Sequence, residues 1–437
     1  MEPGRIRFIQ RCALLCVLAM LAVACGDGGD DAATDEADAP ADEADAPTDD
    51  PEGGAGQEEV LAAIDDVAER IEAGELSYDS SADTDEAIDA LREVIPQPEG
   101  YPARSLEVVI GFGEGGGSDS YTRNVGFDAS RIMGENIIYS NVPGASGEVA
   151  LGQMFTRAPD GYTVASAITN QVINDALETQ PYSFVDDVAF IIRQQGPTEV
   201  YWVTEDSQFE TFEDMLDFAV ENPGEVTVSG SGIGSDDEFR LLSLGSELDT
   251  EFGYVPFDSV GDRISALLGG DIDVLHETGG TVFDVYQDGQ IRPLAYGGDI
   301  VFEDIDPDIP SVADLGYEVP IGRWRGMVGL PDTDPEILDY LHNIFYAAAQ
   351  LPSYKEFEEE FFQHVAGGYL NGEEFEEEAR REREEVQALA EEFGYDTETV
   401  DDVVVEEDEF TTVDSQLASA PRGSVSGTVT YEPTGST

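Results

Sequence analysis

Three glycine-rich turns are the segments of this chain whose residue types could do chemistry. The first turn is 113–120, the second is 143–147 and the third is 230–235. Each follows a short apolar run and precedes an amphipathic one, which predicts a strand, a turn and a helix. Glycine lets the backbone bend sharply and approach a ligand closely. Because the first N–H groups of a helix lack partners and carry partial positive charge, such turns can hold a carboxylate or phosphate without a lysine.

Other interpretations of these turns were weighed on the same residues. The third turn lacks the third glycine of a dinucleotide-binding motif at the right spacing, because Ser235 stands there. The first turn lacks the Gly-Lys-Ser/Thr ending of a phosphate-binding loop. For any single turn, helix capping by Ser118, Asp119 or Ser235 is the alternative. Three such turns in one body favour a shared anion cleft, because ligands of open α/β sheets bind at the carboxyl ends of the strands.

The rest of the chain contains few of the cysteines and histidines that often serve as catalytic nucleophiles or bases. No cysteine follows Cys25, which excludes a disulfide framework and a cysteine nucleophile, and only three histidines are present. A hydrolase with Ser118 or Ser231 as its nucleophile is an alternative, but no histidine accompanies either serine in a recognisable motif. We therefore expect no enzymatic activity, no metal site and no cofactor.

Two short charged motifs leave alternatives open. Arg323 and Arg325 flank a tryptophan and either steer an anion or form surface ion pairs with the abundant acid. His276-Glu277 either does acid–base or metal chemistry or makes a structural contact, and a pair without further ligands favours the structural contact.

The charge balance limits the partners. The chain has 95 Asp and Glu against 20 Lys and Arg, a formal net charge of −75. This excludes nucleic acid as a partner and disfavours docking on anionic lipid. The acid forms either a partner surface or cation store, or a solvated surface adapted to high salt, where the Debye length falls to about 3 Å at 1 M. Because the acid is spread over the whole chain, we expect a halophilic protein.

The N-terminus predicts an export signal at residues 1–25. Three arginines precede an apolar run that is too short to span a membrane comfortably. The run ends in Leu21-Ala-Val-Ala-Cys25, which resembles a bacterial lipobox, although the usual leucine would stand at position 22. We expect a lipid-modified Cys25 that anchors the exported protein to the outer face of the cell membrane. A plain signal peptide is the alternative.

The elements that must position the turns alternate along the chain. From residue 104 onward, strand, turn and helix patterns repeat, which predicts an α/β fold with a mostly parallel sheet. Residues 26–56 are polar and acidic without apolar periodicity and predict a disordered tether. Residues 57–96 predict a helical extension of unknown role, and 396–437 predict an acidic, then Ser/Gly/Thr-rich tail.

A series of motifs between about 100 and 395 carries a resemblance to a known family. The motifs are YPARSLEVVIGFGEGGGSDSYTR at 101–123, Asn141-Val-Pro-Gly-Ala-Ser-Gly147, Ala158-Pro-Asp-Gly-Tyr-Thr163, Ser229-Gly-Ser-Gly-Ile-Gly-Ser235, Leu268-Gly-Gly-Asp-Ile-Asp273 and Asp308-Ile-Pro-Ser-Val-Ala-Asp-Leu-Gly316. In order and spacing they resemble the receptor proteins of tripartite tricarboxylate transporters, the Bug family.

The resemblance implies a periplasmic-binding-protein-like fold with two lobes and a ligand cleft between them. We expect lobe 1 at 100–200 and 295–395, and lobe 2 at 201–294. The resemblance also implies a monomer that captures a small organic carboxylate, closes around it and delivers it to a membrane permease. A sensor that hands its liganded form to a signalling receptor is the alternative.

The resemblance also implies which residues hold the carboxylate, mainly through backbone N–H groups and hydroxyls. The first turn would contribute Gly116, Gly117, Ser118 and Asp119. The third turn would contribute Ser231, Gly232, Ile233, Gly234 and Ser235. The neighbouring positions would be Ala145, Ser146, Thr169, Pro256 and Phe257.

Two departures from the family pattern bear on the cargo. Asp258 stands where the family carries a lysine, and Glu114 adds negative charge near the first turn. They argue against a highly charged tricarboxylate and are compatible with a monocarboxylate, or with a ligand whose amine pairs with Asp119. We expect binding to rest on N–H dipoles and hydroxyls and not on a formal cation.

Overall fold

Two β-sheets and thirteen α-helices make up the part of the chain that the computed structural model describes, which is residues 53–393 except 258, 299, 303–304 and 318–320. The predicted signal segment at 1–25, with Cys25, lies outside the described residues. So do the tail at 396–437, Asp258 and most of the tether at 26–56, although the first helix already begins at Gly53.

The elements follow one another in this order. The strands are β1 Leu106–Ile110, β2 Ile137–Asn141, β3 Thr163–Ile168, β4 Ala189–Gln195, β5 Glu199–Thr204, β6 Thr227–Gly230, β7 Gly253–Pro256, β8 Val274–Thr278, β9 Ile291–Tyr296, β10 Arg325–Gly329 and β11 Leu370–Asn371. The helices are α1 Gly53–Glu72, α2 Glu86–Val94, α3 Gly117–Met133, α4 Glu148–Phe155, α5 Thr169–Ala176, α6 Phe184–Asp187, α7 Phe212–Glu221, α8 Asp236–Leu248, α9 Val260–Gly269, α10 Phe283–Gln287, α11 Pro335–Ala349, α12 Pro352–Glu360 and α13 Gly372–Phe393.

The first sheet has the strand order β11-β4-β10-β3-β1-β2. Strands β2, β1 and β3 run parallel, and β10 lies antiparallel between β3 and β4. Every residue of β3 and every apolar residue of β1 is buried, because helices cover both faces. Helices α3 and α11 pack on one face, and α4 and α13 pack on the other. We call this sheet with its helices the first lobe.

The second sheet has the strand order β7-β6-β8-β5-β9. Strands β7, β6 and β8 run parallel, and β5 lies antiparallel between β8 and β9. Helices α7 and α8 pack on one face, and α9 and α10 pack on the other. We call this sheet with its helices the second lobe. The predicted two-lobe α/β fold is confirmed.

The chain crosses between the lobes twice. The first crossing joins β4 to β5 through residues 196–198, close to the predicted boundary at 200. The return lies later than the predicted 295, because Phe302, Ile305 and Val312 are buried in the apolar core of the second lobe. The chain enters the first sheet again only with β10 at Arg325.

The helical segment predicted as an extension is part of the first lobe. Ile64 of α1 and Ile88 and Leu91 of α2 are buried in one apolar core with α3 and α11. Asp85 caps α2, and the Tyr78 hydroxyl donates to the buried Asp128 at 2.8 Å. These two helices complete the outer layer over the first sheet.

Candidate functional site

A cleft between the two sheets contains the first turn and part of the third turn. It encloses about 410 Å³, part of it open to solvent. The first lobe and the return crossing contribute Phe112, Gly113, Gly116, Gly117, Ser118, Ile168, Arg323 and Arg325. The second lobe contributes Ser231, Phe257, Val260, Arg263 and Glu277. A molecule in this space would touch both lobes.

The first turn presents unpaired hydrogen-bond donors at the start of α3. The N-cap residue Gly116 offers no side chain to cap the helix. The N–H groups of Gly117, Ser118 and Asp119 have no acceptor in the part of the chain that the structure describes. The Ser118 hydroxyl, buried in the cleft wall, also has no partner among the described residues. These groups are positioned to donate to an anionic oxygen.

The sequence predicted that Asp119 helps to bind the ligand, but its carboxylate does not face the unpaired N–H groups at the start of α3. Its carboxylate turns back along the turn, where one oxygen accepts from the Gly115 N–H at 2.9 Å. The other oxygen accepts from Arg123 Nε at 2.7 Å and from Asn141 Nδ2 at 3.0 Å. Asp119 therefore holds the turn in shape, and its partners leave no role for it in pairing with an amine on a ligand.

Arg325, the first residue of β10, places a buried cation beside the first turn. Arg325 is 3% exposed, and the only hydrogen bond of its guanidinium to the described residues is from Nη1 to Gln195 Oε1 at 3.3 Å. No carboxylate oxygen of the described residues lies within 4.0 Å of its guanidinium nitrogens, and Nε has no partner among them. Burial, and then the charge of Arg323, lower the pKa of Arg325. The cation is therefore desolvated and has no carboxylate of the described residues in direct contact, although Glu277 and Glu199 attract it from farther away.

The position of Arg325 explains one glycine of the first turn. A Cβ atom on Gly117 would overlap Nη2 and Cζ of Arg325. Glycine at this position lets the start of α3 approach the guanidinium, so that the N–H groups and the cation point into the same space. The sequence motifs predicted that the first turn belongs to the site, but they predicted no cation there.

The third turn is occupied by the protein's own carboxylates. Asp237 Oδ2 accepts from the Ser231 N–H at 2.7 Å and from the Ser231 hydroxyl at 2.9 Å. Glu238 accepts from the Gly234 N–H at 2.7 Å, and Ser235 caps α8 by accepting from the Glu238 N–H. Donors that the sequence assigned to a ligand are therefore satisfied internally.

Arg323 neutralises the carboxylates behind the third turn. Its Nη2 lies 3.0 Å from Asp236 Oδ1 and 2.7 Å from Asp237 Oδ2, and its Nη1 lies 3.6 Å from Glu277 Oε1. Burial opposes the charge on Arg323, but these three carboxylates raise its pKa well above the ordinary value. Arg323 is thus part of a buried ion cluster and not a surface ion pair.

Glu277 is the acidic residue in the cleft wall, and both its oxygens have partners. Oε2 pairs with Arg263 Nη2, and Oε1 accepts from the Thr278 N–H at 2.8 Å and the Thr278 hydroxyl at 3.0 Å. Burial opposes ionisation, but Arg263 and then Arg323 lower the pKa of Glu277. The carboxylate is therefore ionised and held in place.

The hydrolase alternative does not fit this geometry. The Ser231 hydroxyl donates to Asp237, and His276 Nδ1 contacts the other oxygen of Asp237 at 2.5 Å. The carboxylate therefore lies between the serine and the histidine. No histidine of the described residues hydrogen-bonds to Ser231 or Ser118, so neither hydroxyl has a histidine as its general base there.

Direct contacts join the lobes around the cleft. The Ser146 hydroxyl of the second turn donates to the carbonyl oxygen of Ile233 in the third turn at 2.7 Å. Ile173 of α5, Phe239 of α8 and Val386 of α13 share a buried apolar cluster drawn from both lobes. The lobes are therefore in a closed arrangement.

Of the residues predicted for the site, one group lines the cleft: Gly116, Gly117, Ser118, Ser231 and Phe257. Thr169 instead supports the return crossing, since its hydroxyl donates to Gly322 O at 2.7 Å and accepts from the Trp324 N–H at 3.1 Å. The remaining predicted residues lie outside the lining, and they are Asp119, Ala145, Ser146, Gly232, Ile233, Gly234, Ser235 and Pro256. Sequence reasoning weighed Arg323 and Arg325 without assigning them, and it missed Arg263 and the lining role of Glu277.

Neither a metal-binding cluster nor a membrane-spanning helix is present in the described part of the chain. No group of three or more histidine, cysteine, aspartate or glutamate side chains there is arranged to hold a metal ion. None of the helices within 53–393, as described, combines the length and apolar character needed to span a bilayer.

Comparison with known proteins gives one family and one fold. The family model of tripartite tricarboxylate transporter receptors matches residues 121–386. A protein of Cupriavidus necator, the UPF0065 protein in the gbd 5' region, is 28% identical over 301 residues, which are 68% of this chain and 90% of that protein.

Two solved structures share the architecture. The periplasmic binding protein BugD is 20% identical with a TM-score of 0.62, over 67% of this chain and 99% of that one. MatC from Rhodopseudomonas palustris, solved with bound malate, is 18% identical with a TM-score of 0.60, over 66% and 99%. At these identities the likeness shows the fold.

Proposed function

Because the chain belongs to the tripartite tricarboxylate transporter receptor family, we propose that it captures a small organic carboxylate in the cleft and delivers it to a membrane permease. The observation that carries the choice of ligand is the Arg325 guanidinium, which is buried without a carboxylate partner among the described residues. It stands beside the open N–H groups at the start of α3.

The energetics of a buried cation favour an anionic ligand. Removing a charged group from water is costly unless it is paired and hydrogen-bonded. A carboxylate on Arg325 restores the missing partner and can accept two parallel N–H bonds from the planar guanidinium. The N–H groups of Gly117 and Ser118 and the Ser118 hydroxyl supply further donors. The ligand's charge therefore stabilises a site that is incomplete without it.

Closure of the two lobes fits the same ligand position. The cleft wall contains Arg325 and Ser118 from one side and Ser231 and Phe257 from the other. A ligand that contacts both sides stabilises the closed arrangement over an open one, which is how two-lobed binding proteins signal occupancy to a partner. The bound malate of MatC shows that a protein of this fold holds a small carboxylate.

The ligand assignment is tested by binding measurements at molar salt. A thermal-shift screen of small carboxylates on the full chain identifies ligands, and calorimetry then measures the affinity. We expect Arg325→Gln to weaken binding by about 10- to 100-fold. Arg193→Gln is the matched control, because burial also lowers the pKa of Arg193, which donates to Gly368 O at 2.9 Å outside the cleft lining.

Two results would contradict the proposal. One is the absence of any carboxylate that raises the melting temperature of the folded protein. The other is a carboxylate that binds Arg325→Gln and the wild type with equal affinity. Conversion of a hit to a product would instead favour the hydrolase alternative.

Export and lipid anchoring are also part of the proposal, and the lipobox-like motif ending at Cys25 supports them. Expression of the full chain in a bacterium, followed by separation of membrane and soluble fractions, tests this point. We expect the wild type in the membrane fraction and Cys25→Ser in the soluble exported fraction. An unchanged distribution of Cys25→Ser would favour a plain signal peptide or another anchor.

Adaptation to high salt follows from the net charge of −75. Self-repulsion among surface carboxylates opposes folding and repels an anionic ligand, and salt screens both effects. We propose a monomeric halophilic protein whose melting temperature and association rate rise from low to molar NaCl. A melting temperature that does not rise, or an association rate that falls, would contradict it.

A further inference from the structure

We propose that Glu277 restricts the cleft to acids with a single carboxylate, because it occupies the two arginines that a second carboxylate would need. The inference rests on the proposed function and specifies the ligand class of that site. It comes from the unequal pairing of three arginines in the cleft wall, Arg263, Arg323 and Arg325.

The three arginines differ in how far their guanidinium groups are already paired with carboxylates of the protein. Arg263 Nη2 pairs with Glu277 Oε2, and its Nη1 donates to His276 O at 3.2 Å. Arg323 reaches Glu277 Oε1 at 3.6 Å and is otherwise held by the two aspartates at the start of α8. Only Arg325 of the three lacks a carboxylate partner within the described residues.

Glu277 therefore stands in place of a ligand group. Its carboxylate lies in the cleft wall and bridges two guanidinium groups, which is the position that the second carboxylate of a dicarboxylate ligand would take. The Thr278 N–H and hydroxyl hold it there, so it does not swing aside freely. Its residue is 2% exposed, so solvent does not weaken these pairs.

The apolar side chains in the rest of the cleft lining suit the uncharged part of a ligand. Phe112 and Ile168 contribute from the first lobe, and Phe257 and Val260 contribute from the second. A second ligand carboxylate would lie against these side chains or against the Glu277 carboxylate. Both positions are unfavourable, because an unpaired buried charge is costly and like charges repel at short range. One carboxylate on Arg325 with an uncharged remainder fits both parts of the cleft.

The inference is tested with acids matched in length. Calorimetry at pH 8 and molar NaCl compares straight-chain monocarboxylates of two to eight carbons with the dicarboxylates of equal length, each with and without a 2-hydroxyl group. Propane-1,2,3-tricarboxylate represents three charges. For the wild type we expect the preferred monocarboxylate to bind at least about tenfold more tightly than its dicarboxylate partner.

The variant Glu277→Gln sharpens the comparison. It removes the internal carboxylate and leaves Arg263 without that partner, while Arg323 stays paired with Asp236 and Asp237. The preference for one carboxylate should therefore fall by about tenfold or reverse. Glu148→Gln is the matched control: Glu148 is a buried carboxyl at the start of α4, outside the cleft lining, and the substitution should leave the preference unchanged. Circular dichroism checks that each variant is folded.

Each outcome is decisive. If a dicarboxylate or the tricarboxylate binds the wild type as tightly as the matched monocarboxylate, the inference is overturned while the proposed carboxylate-binding function stands. This comparison holds even if Glu277→Gln does not fold. If Glu277→Gln folds and keeps the full preference, Glu277 is not the cause. If no acid of any series binds the wild type, the proposed function itself fails.

Discussion

The first and third turns carry the same sequence signal and do different things. Both place glycines before a helix, and both contribute to one cleft. At the first turn the N–H groups of Gly117, Ser118 and Asp119 have no described acceptor. At the third turn the equivalent N–H groups of Asp236 and Glu238 have acceptors, Asn170 Oδ1 at 3.3 Å and the Ser235 hydroxyl, and Asp237 accepts from the Ser231 N–H.

The difference lies in the N-cap residue and in the residues that follow it. Ser235 caps α8, whereas Gly116 has no side chain to cap α3. The carboxylates of Asp237 and Glu238 also accept from the N–H groups of the third turn, and Arg323 pairs with Asp236 and Asp237. In the first turn the single carboxylate of Asp119 contacts the Gly115 N–H and leaves the helix start open. The start of α3 is therefore open to a ligand, whereas Ser235 and Asn170 already supply acceptors at the start of α8.

Breaking the internal cluster should have the largest effect. Arg323→Gln leaves the carboxylates of Asp236 and Asp237 buried without their cation. Removing one partner of a buried pair costs about 3–5 kcal/mol in the free energy of unfolding. Urea unfolding at molar salt measures it. A loss below about 1 kcal/mol would mean that the third turn does not depend on this cation.

The second turn extends the comparison, because it too is followed by an internal carboxyl. Glu148 is buried, its Oε2 accepts from the Tyr182 hydroxyl at 2.5 Å, and burial raises its pKa to about 8. The folded protein keeps this proton at pH values where the unfolded chain, with a pKa near 4.5, has lost it. Stability should therefore fall as the pH rises from 5 to 8, by about 3 kcal/mol from this group.

The variant Glu148→Gln measures that contribution. It keeps the shape of the side chain and removes the titration, so its stability relative to the wild type should grow steadily from pH 5 to pH 8. Urea unfolding of both proteins across this range gives the difference directly. A difference that is independent of pH would show that Glu148 has the same charge in the folded and unfolded states.

Removing the free cation should affect binding and not folding. Arg325→Gln should weaken carboxylate binding by about 10- to 100-fold, since hydrogen bonds to charged groups contribute about 1.5–3 kcal/mol. Because Arg325 is buried with no carboxylate of the described residues in contact, the same variant should leave the ligand-free protein as stable as the wild type or more stable. Calorimetry and urea unfolding give the two values. Parallel losses in both would indicate a structural role.

Adding a methyl group to the first turn should have a smaller effect. Gly117→Ala forces Arg325 to move, since the new Cβ overlaps its guanidinium, and we expect about tenfold weaker binding. The matched control is Gly152→Ala in α4, where nothing lies within 4 Å of the Cβ position. If Gly117→Ala and Gly152→Ala bound the carboxylate with equal affinity, the first turn would not be part of the ligand site.

The contact between the second and third turns should give the smallest effect. Ser146→Ala removes the hydrogen bond to Ile233 O, which is made across the closed cleft. One such bond contributes about 1 kcal/mol, so the affinity should fall about fivefold through a less stable closed arrangement. The dissociation rate, followed by stopped-flow competition, should rise accordingly. An unchanged rate would mean that the contact does not hold the lobes closed.

The sequence predicted the architecture because its signals are local. Buried runs such as those of β1 and β3, separated by glycine turns and amphipathic helices, specify an α/β lobe wherever they occur. The place of α1 and α2 was not predictable, since an amphipathic pattern shows that a face is buried but not against which surface. The late return to the first lobe was missed for a similar reason, because the burial of Phe302 depends on distant strands.

The candidate site was predicted in part. The glycine turns located the cleft, but the pairing of its charges depends on residues that are far apart in sequence. Arg323 and Arg325 are alike in the sequence, and only the fold pairs the first with Asp236 and Asp237 and leaves the second without a carboxylate in contact among the described residues. The glycine turns alone led to the expectation that binding needs no formal cation. That expectation did not take account of Arg325, which lies beside the first turn.

The most direct measurement is a crystal structure of the protein with the tightest-binding acid of the matched series. We expect one carboxylate of the ligand within about 3 Å of the Arg325 guanidinium and of the N–H groups of Gly117 or Ser118. The third turn should keep its internal carboxylates. A ligand carboxylate bound at Ser231–Ser235, with Arg325 untouched, would contradict the assignment of the first turn as the anion site.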